Sequence, residues 1–235
     1  MPDLLNRIAE TLPGLDAGLA QVVALSLAVS LVATGAASLI GLPLGAVLAM
    51  ARFPGRRAMV VLANALLGLP PVVVGLALYL LLSRAGPLGE LGLLFTPAAM
   101  ALAQFLLALP IVTALAHRAC DAIWASYGDD LRINGASPAR AVLTVLAVGR
   151  TEMMTAVLAG FGRTVSEVGA ILIVGGNIAG HTRTMTTSVV LETSRGNLGT
   201  ALALGGVLVG ISLAVSAGAF ALVGRRGRAA PGEPD

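Results

Sequence analysis

The stretch "DDLRINGASPARAVLTVLAV" (residues 129–148) decides how the chain is laid out, because it is a polar, turn-containing piece inside a sequence that is otherwise strongly apolar. The residues leading into it, "ACDAIWASYGDDLRI", can form one helix. Asn134 and Gly135 then tolerate the left-handed backbone that a helix stop needs. Ser137 and Pro138 restart a helix, the serine as N-cap and the proline at the first helical position. Helix, glycine turn, helix gives a compact knuckle. Local sequence leaves two readings of it open: a piece that docks into a cleft on a soluble partner, or a plain surface hairpin joining two spans.

Working outward, the flanks are membrane-like. The chain has 235 residues, 57% hydrophobic and 11% charged, with a mean hydropathy of +0.91, outside the range of an ordinary soluble domain. Apolar runs at 19–51, 58–82, 92–116, 153–175 and 198–223 read as five spans, with 117–152 as one polar loop and 224–235 as a tail. The first run exceeds the hydrocarbon thickness if helical, and Pro43 within "GLPLG" is the expected place for a bend. Residues 1–18 show no basic region leading into an apolar core and a cleavage site, so they read as a surface segment, not as a cleaved signal.

Charge sets orientation and excludes chemistry. With no Lys in the sequence, all fifteen basic residues are Arg and the net charge is +3. Neither a G-x-x-x-x-G-K-[ST] phosphate loop nor a Schiff-base lysine can exist, so nucleotide hydrolysis has to come from another chain. The loop at 52–57, the loop at 117–152 and the tail hold ten arginines, against four on the other side (Arg7, Arg84, Arg183, Arg195). Arginine-rich short loops stay cytoplasmic, which puts the N-terminus outside and the C-terminus inside. Cys120 has no partner for an intramolecular disulfide, and no Cys/His cluster has metal-ligand spacing.

Two further pieces stand out. "GRTVSEVGAILIVGG" (residues 162–176) places Arg163 and Glu167 four apart within the fourth apolar run, on one helix face where they can pair. The pair can lock spans together, or it can form a weak, self-neutralised stop for an anion in transit. "GGNIAGHTRTMTT" (residues 175–187) is dense in donors. Either it meets an incoming oxyanion with backbone N–H groups, hydroxyls and Arg183, or it is a structured loop whose threonines cap the next helix. Arg163, Ser166, Glu167, Asn177, Thr182, Arg183, Thr184, Thr186 and Thr187 are the candidate path or gate residues. Ser166 with His117 or His181 would be the set for an intramembrane hydrolase, but no G-x-S-x-G frames the serine. Five spans are few to enclose a path, so a homodimer is expected. Gly41/Gly45 and Gly206/Gly210 offer close-contact spacing.

The knuckle resembles the cytoplasmic docking loop of ABC-transporter permeases, whose pattern is Glu-Ala-Ala, three residues, Gly, then nine residues before Ile-x-Leu-Pro. Gly135 matches the glycine, Asp129-Asp130-Leu131 stand for Glu-Ala-Ala, Val145 takes the Ile place, and Ala147-Val148 replace Leu-Pro. Residues 156–205, through Gly162-Arg163, Ser166-Glu167-Val168-Gly169, Gly175-Gly176-Asn177-Ile178, Thr182 to Thr187 and Leu191-Glu192-Thr193, resemble molybdate/tungstate-type permeases, the tungstate branch most. The resemblance implies an all-α, MetI-like importer permease of about five spans in the inner membrane of a bacterium or archaeon. It implies ATPase docking through Asp129, Asp130, Gly135, Ala136, Ser137 and Pro138. It also implies two ABC ATPase subunits carrying ATP and magnesium, an extracytoplasmic oxyanion-binding protein, and in this chain neither a cofactor nor bond chemistry. A nucleic-acid partner is not expected. A secondary anion transporter working without an ATPase is the alternative, although 235 residues leave no room for two inverted repeats.

Overall fold

A computed structural model describes residues 17–227, so Arg7, Arg228, most of the 1–18 segment and the end of the tail lie outside it. Among the described residues the regular structure is helical throughout: α1 (Ala17–Met50), α2 (Arg56–Ala65), α3 (Pro71–Leu82), α4 (Pro97–Ile133), α5 (Pro138–Val148), α6 (Arg150–Val165), α7 (Gly169–Gly175), α8 (Met185–Ser194) and α9 (Leu198–Gly227). The protein is an all-α membrane chain. Three helices are long and apolar enough to cross a membrane, and counting the bent pairs α2/α3 (102°) and α5/α6 (79°) each as one crossing, by length and composition, raises the number to five.

α1 passes through Pro43 as one helix of 34 residues, about 51 Å long. It lies along α4 on a face of small residues. A Cβ on Gly45 would come within 2.7 Å of the Ala116 Cβ and of the His117 backbone nitrogen, and one on Gly41 within 3.1 Å of the Thr113 hydroxyl. The Gly41/Gly45 spacing therefore serves a contact inside the chain. Ala37, Ala108 and Val112 continue the same seam.

Two of the expected spans are broken. Over 58–82, α2 and α3 are bent by 102°. Pro70 and Pro71 each lack an N–H, and a proline pushes the residue before it out of the helical region. Leu69 and Pro70 are accordingly extended, with ψ of 121° and 123°. Over 153–175, α6 ends at Val165 and α7 resumes at Gly169. α3 and α7 then pack backbone to backbone, since a Cβ on Gly75 would meet the Ala170 Cα at 2.8 Å. Their side chains share a core with α1 and α4, including Val29, Leu78, Met100, Ile171 and Val174.

The boundary expected at residue 117 is not a helix end. Thr96 caps α4 by accepting from the Ala99 N–H, and the helix then runs for 37 residues, about 55 Å. That is about 25 Å more than a hydrocarbon core. The third span and the first half of the polar loop are thus one rod. At its root Ala46, Ala49, Ala116, Cys120, Val145 and Met153 pack together, and Arg56 pins the end of α1 by donating to the Leu48 and Ala49 carbonyls and pairing with Asp121 at 3.3 Å.

Candidate functional site

The knuckle at the far end of α4 is built by its own turn chemistry. Gly135 sits at φ +66°, where its N–H donates to the Arg132 carbonyl and the Ala136 N–H to the Leu131 carbonyl, both at 3.0 Å. The Asn134 amide donates to the Asp130 carbonyl at 2.8 Å. Ser137 accepts the Arg140 N–H, and Pro138 occupies the first turn of α5. Asp129 is tied to Arg132 at 2.9 Å, and that guanidinium lies 5.0 Å from the Trp124 ring centroid. Asp130 borders a shallow hollow of about 120 Å³ with Tyr127 and Val148.

Four apolar side chains on this knuckle face outward: Ile133 (83% exposed), Leu143 (68%), Val148 (54%) and Tyr127 (53%). Reading the sequence for turn residues missed them. The available signal was an apolar residue at solvent-facing helix positions in the most polar part of the chain.

The break between α6 and α7 holds the ion pair. Arg163 and Glu167 meet at 2.8 Å, with the glutamate side chain 2% and the arginine 29% exposed. The second glutamate oxygen accepts the Ala170 N–H at 3.0 Å, so Glu167 caps the restart of the chain in α7. The Thr186 hydroxyl donates to the Glu167 carbonyl at 2.9 Å, and the Gln104 amide donates to the Thr164 carbonyl at 2.8 Å. The Thr34 and Thr164 hydroxyls meet at 2.9 Å. Thr164 and the Glu167 carbonyl are therefore tied to neighbouring helices. Ser166 is exposed and donates to the Gly162 carbonyl at 2.7 Å, with neither histidine among its partners.

The loop after α7 is a folded unit. Gly176 (φ +69°) and Asn177 (φ +50°) turn the chain. Thr182 donates to the Gly175 carbonyl and accepts the Ile178 N–H. Thr184 and Thr187 form a reciprocal capping box on α8, and the Thr184 and Thr186 hydroxyls meet at 3.1 Å. All four threonines are buried, so the loop and the cap of α8 use the hydroxyls that the sequence offered to an anion. Ser26 receives the Met185 N–H at 2.8 Å, and Gln21 donates to the Gly180 carbonyl at 2.9 Å, which fixes the loop on α1.

Arg183 and His181 differ from the threonines. Among the described residues the Arg183 guanidinium donates only to the Asn177 side-chain and backbone oxygens, and it lines an open crevice of about 820 Å³ between α1, α8 and α9, together with Gln21, His181, Ser188, Glu192 and Thr200. Among the described residues it has no carboxylate within ion-pair distance. Glu192 is held below the usual carboxylate range by the Asn197 amide and by Arg195. The break, the loop and the crevice lie at the opposite end of the bundle from the knuckle, with α4 running between.

No protein-family model matches the chain. Among curated proteins, it is 39% identical over 204 residues to "Probable anion ABC transporter permease protein" of Haloferax volcanii, covering 85% of this chain and 88% of that relative. It is 37% identical over 217 residues to the tungstate uptake system permease protein TupB of Peptoclostridium acidaminophilum, covering 91% and 93%. The molybdenum transport system permease protein ModB of Azotobacter vinelandii is 33% identical over 129 residues, 52% and 57% of the two chains. Relatives at this identity over most of both chains, joined to a helical membrane fold that carries the knuckle, make the chain a member of the permease family of ABC transporters.

Proposed function

We propose that this chain is the membrane subunit of an importer for tungstate, or for molybdate as the nearest alternative cargo, working as a homodimer with two ATPase subunits and an extracytoplasmic binding protein. The observation that carries the reading is the projecting end of α4 with α5, which presents Ile133, Leu143, Val148 and Tyr127 beyond the length a bilayer covers. With the arginine-rich loops inside, this end lies in the cytoplasm, where an ATPase cleft can take it, and the Thr/Gly loop lies outside the inner membrane. ATP and magnesium belong to the partner. This chain positions and gates, and it forms no bonds with the cargo.

Alternating access follows from the rod. A push on the knuckle cannot be absorbed at residue 117, because α4 is unbroken from Ile133 to Pro97. It is delivered to the core where α4 meets α7 and α3, and those half-length helices are hinged at Ser166–Val168 and at Leu69–Pro70. The half-buried Arg183 and the exposed His181 on the crevice wall are the cationic and donor groups for an oxyanion arriving from the binding protein. Arg163, already neutralised by Glu167, holds the hinge.

Gly135 tests the docking reading. Its left-handed φ strains a β-branched residue even though nothing lies within 4 Å of a Cβ there. Gly135→Val should abolish ATP-driven tungstate uptake in proteoliposomes containing the ATPase and binding protein while leaving the chain in the membrane. Gly135→Asn, which tolerates that backbone, should retain most of it. Normal uptake by the valine variant overturns the docking assignment, and uptake without any ATPase supports a secondary transporter instead.

A further inference from the structure

The crevice between α1, α8 and α9 changes character with depth. Near the start of both long helices its mouth is polar, with Gln21, His181, Arg183 and Thr200. Further along it is apolar, with Leu25 and Ala28 of α1 on one wall and Leu204 and Val207 of α9 on the other. The stretch of α1 that lines it, Gly18 to Ala28, is about 15 Å long. That is half of the roughly 30 Å hydrocarbon core, so the crevice has the depth of one leaflet.

The gap exists because α9 stands away from α1. Only 17% of its most apolar window is buried inside the chain, against 56% for α4. It rests on α8 and α6, and among the described residues it makes little contact with α1. Both helices are long and apolar enough to cross a membrane, so a gap between them opens on lipid. Its volume of about 820 Å³ is that of a ligand site, about 300–1,000 Å³.

Charge narrows the choice of occupant. Arg183 bonds only the neutral oxygens of Asn177 among the described residues. The acid on the same wall, Glu192, is engaged elsewhere, by Arg195 at 3.1 Å and Asn197 at 2.8 Å. The apolar helices α1, α3 and α9 of a second copy would bring no acid to answer the guanidinium, since none of them contains Asp or Glu. A phospholipid supplies an anionic group at the mouth and a hydrocarbon chain in the depth.

We infer that the crevice is a phospholipid site, in which the headgroup phosphate accepts from Arg183 and His181 at the mouth and one acyl chain lies between Leu25 and Val207. The reading stands on the crevice alone and needs neither the cargo nor the ATPase. On the proposed function, headgroup and arriving oxyanion call on the same guanidinium, so an anionic lipid here competes with cargo.

Photolabelling tests it. The full chain is reconstituted in phosphatidylcholine vesicles containing phosphatidylglycerol with a diazirine in its acyl chain, and labelled residues are identified by mass spectrometry. Leu25 and Val207 should be labelled about tenfold more than Leu202 and Val209, which are exposed on α9 outside the crevice. The same diazirine chain on phosphatidylcholine should label the crevice about fivefold less, the worth of one basic residue against an anionic lipid. Arg183→Gln should lower phosphatidylglycerol labelling of the crevice by the same factor, and Arg183→Lys should retain it. Ala203→Trp, which fills the crevice, should remove the label from Val207 and leave Leu202 unchanged. Labelling that is equal at the two sets of residues, or indifferent to the headgroup in the unaltered chain, means ordinary bilayer lipid and overturns the proposal. No labelling of Leu25 and Val207 assigns the crevice to protein, either the residues before Ala17 or a second copy, and overturns it too.

Discussion

Arg163 and Glu167 are unequal partners. Glu167 is buried and caps α7, while Arg163 keeps part of its side chain in contact with the surroundings. Removing one member of a buried pair costs about 3–5 kcal/mol, because the remaining charge is left uncompensated. Arg163→Gln should therefore destabilise the chain more than Glu167→Gln, whose amide oxygen still accepts the Ala170 N–H. The double replacement should cost less than the sum of the two, by about 0.5–3 kcal/mol. Thermal unfolding of the four proteins in one detergent checks this. Additive losses with equal single effects would instead separate the residues and favour direct contact of each with the cargo.

Among the elements, the α1–α4 seam is the tightest contact and the easiest to break. At Gly45 a Cβ meets backbone, which cannot move aside as a flexible side chain can. Gly45→Ala should lower stability by about 1–3 kcal/mol, whereas Gly206→Ala, with open space around it, should not destabilise a single subunit. Unfolding midpoints measured side by side decide it, and equal midpoints would mean that the helices separate in the membrane. The two Gly-x-x-x-Gly pairs looked alike in sequence. Packing gives the first to the chain's own core and leaves the second facing outward.

For the whole molecule, the exposed apolar end of the knuckle is the feature that has no use in an isolated subunit. Because Ile133 and Leu143 are 83% and 68% exposed, Ile133→Asp and Leu143→Asp should change folding stability by no more than about 0.5 kcal/mol. On the proposed function, the same changes should remove ATPase binding in a pull-down from detergent. Retention of the ATPase by the double variant would move the docking surface elsewhere.

The sequence by itself determined the membrane class, the helical fold, the knuckle's turn and the family. Those follow from composition and from local chemistry: hydropathy, a glycine at positive φ, Ser-Pro at a helix start, and motifs carried by contiguous residues. It could not place helix ends that depend on distant partners. Nothing local distinguishes residue 117 as a helix interior, and the break at Ser166–Val168 is held by Gln104, Thr34 and Thr186 from elsewhere in the chain. The threonines stayed open between an anion site and a cap, because a free hydroxyl and a bonded one read identically in sequence; the structure gives Thr182, Thr184 and Thr187 to bonds within their own loop and helix cap and Thr186 to the distant Glu167 carbonyl. Tertiary packing closed the bonds at the break. It left Arg183 and His181 on an open wall, and the knuckle's apolar residues uncovered.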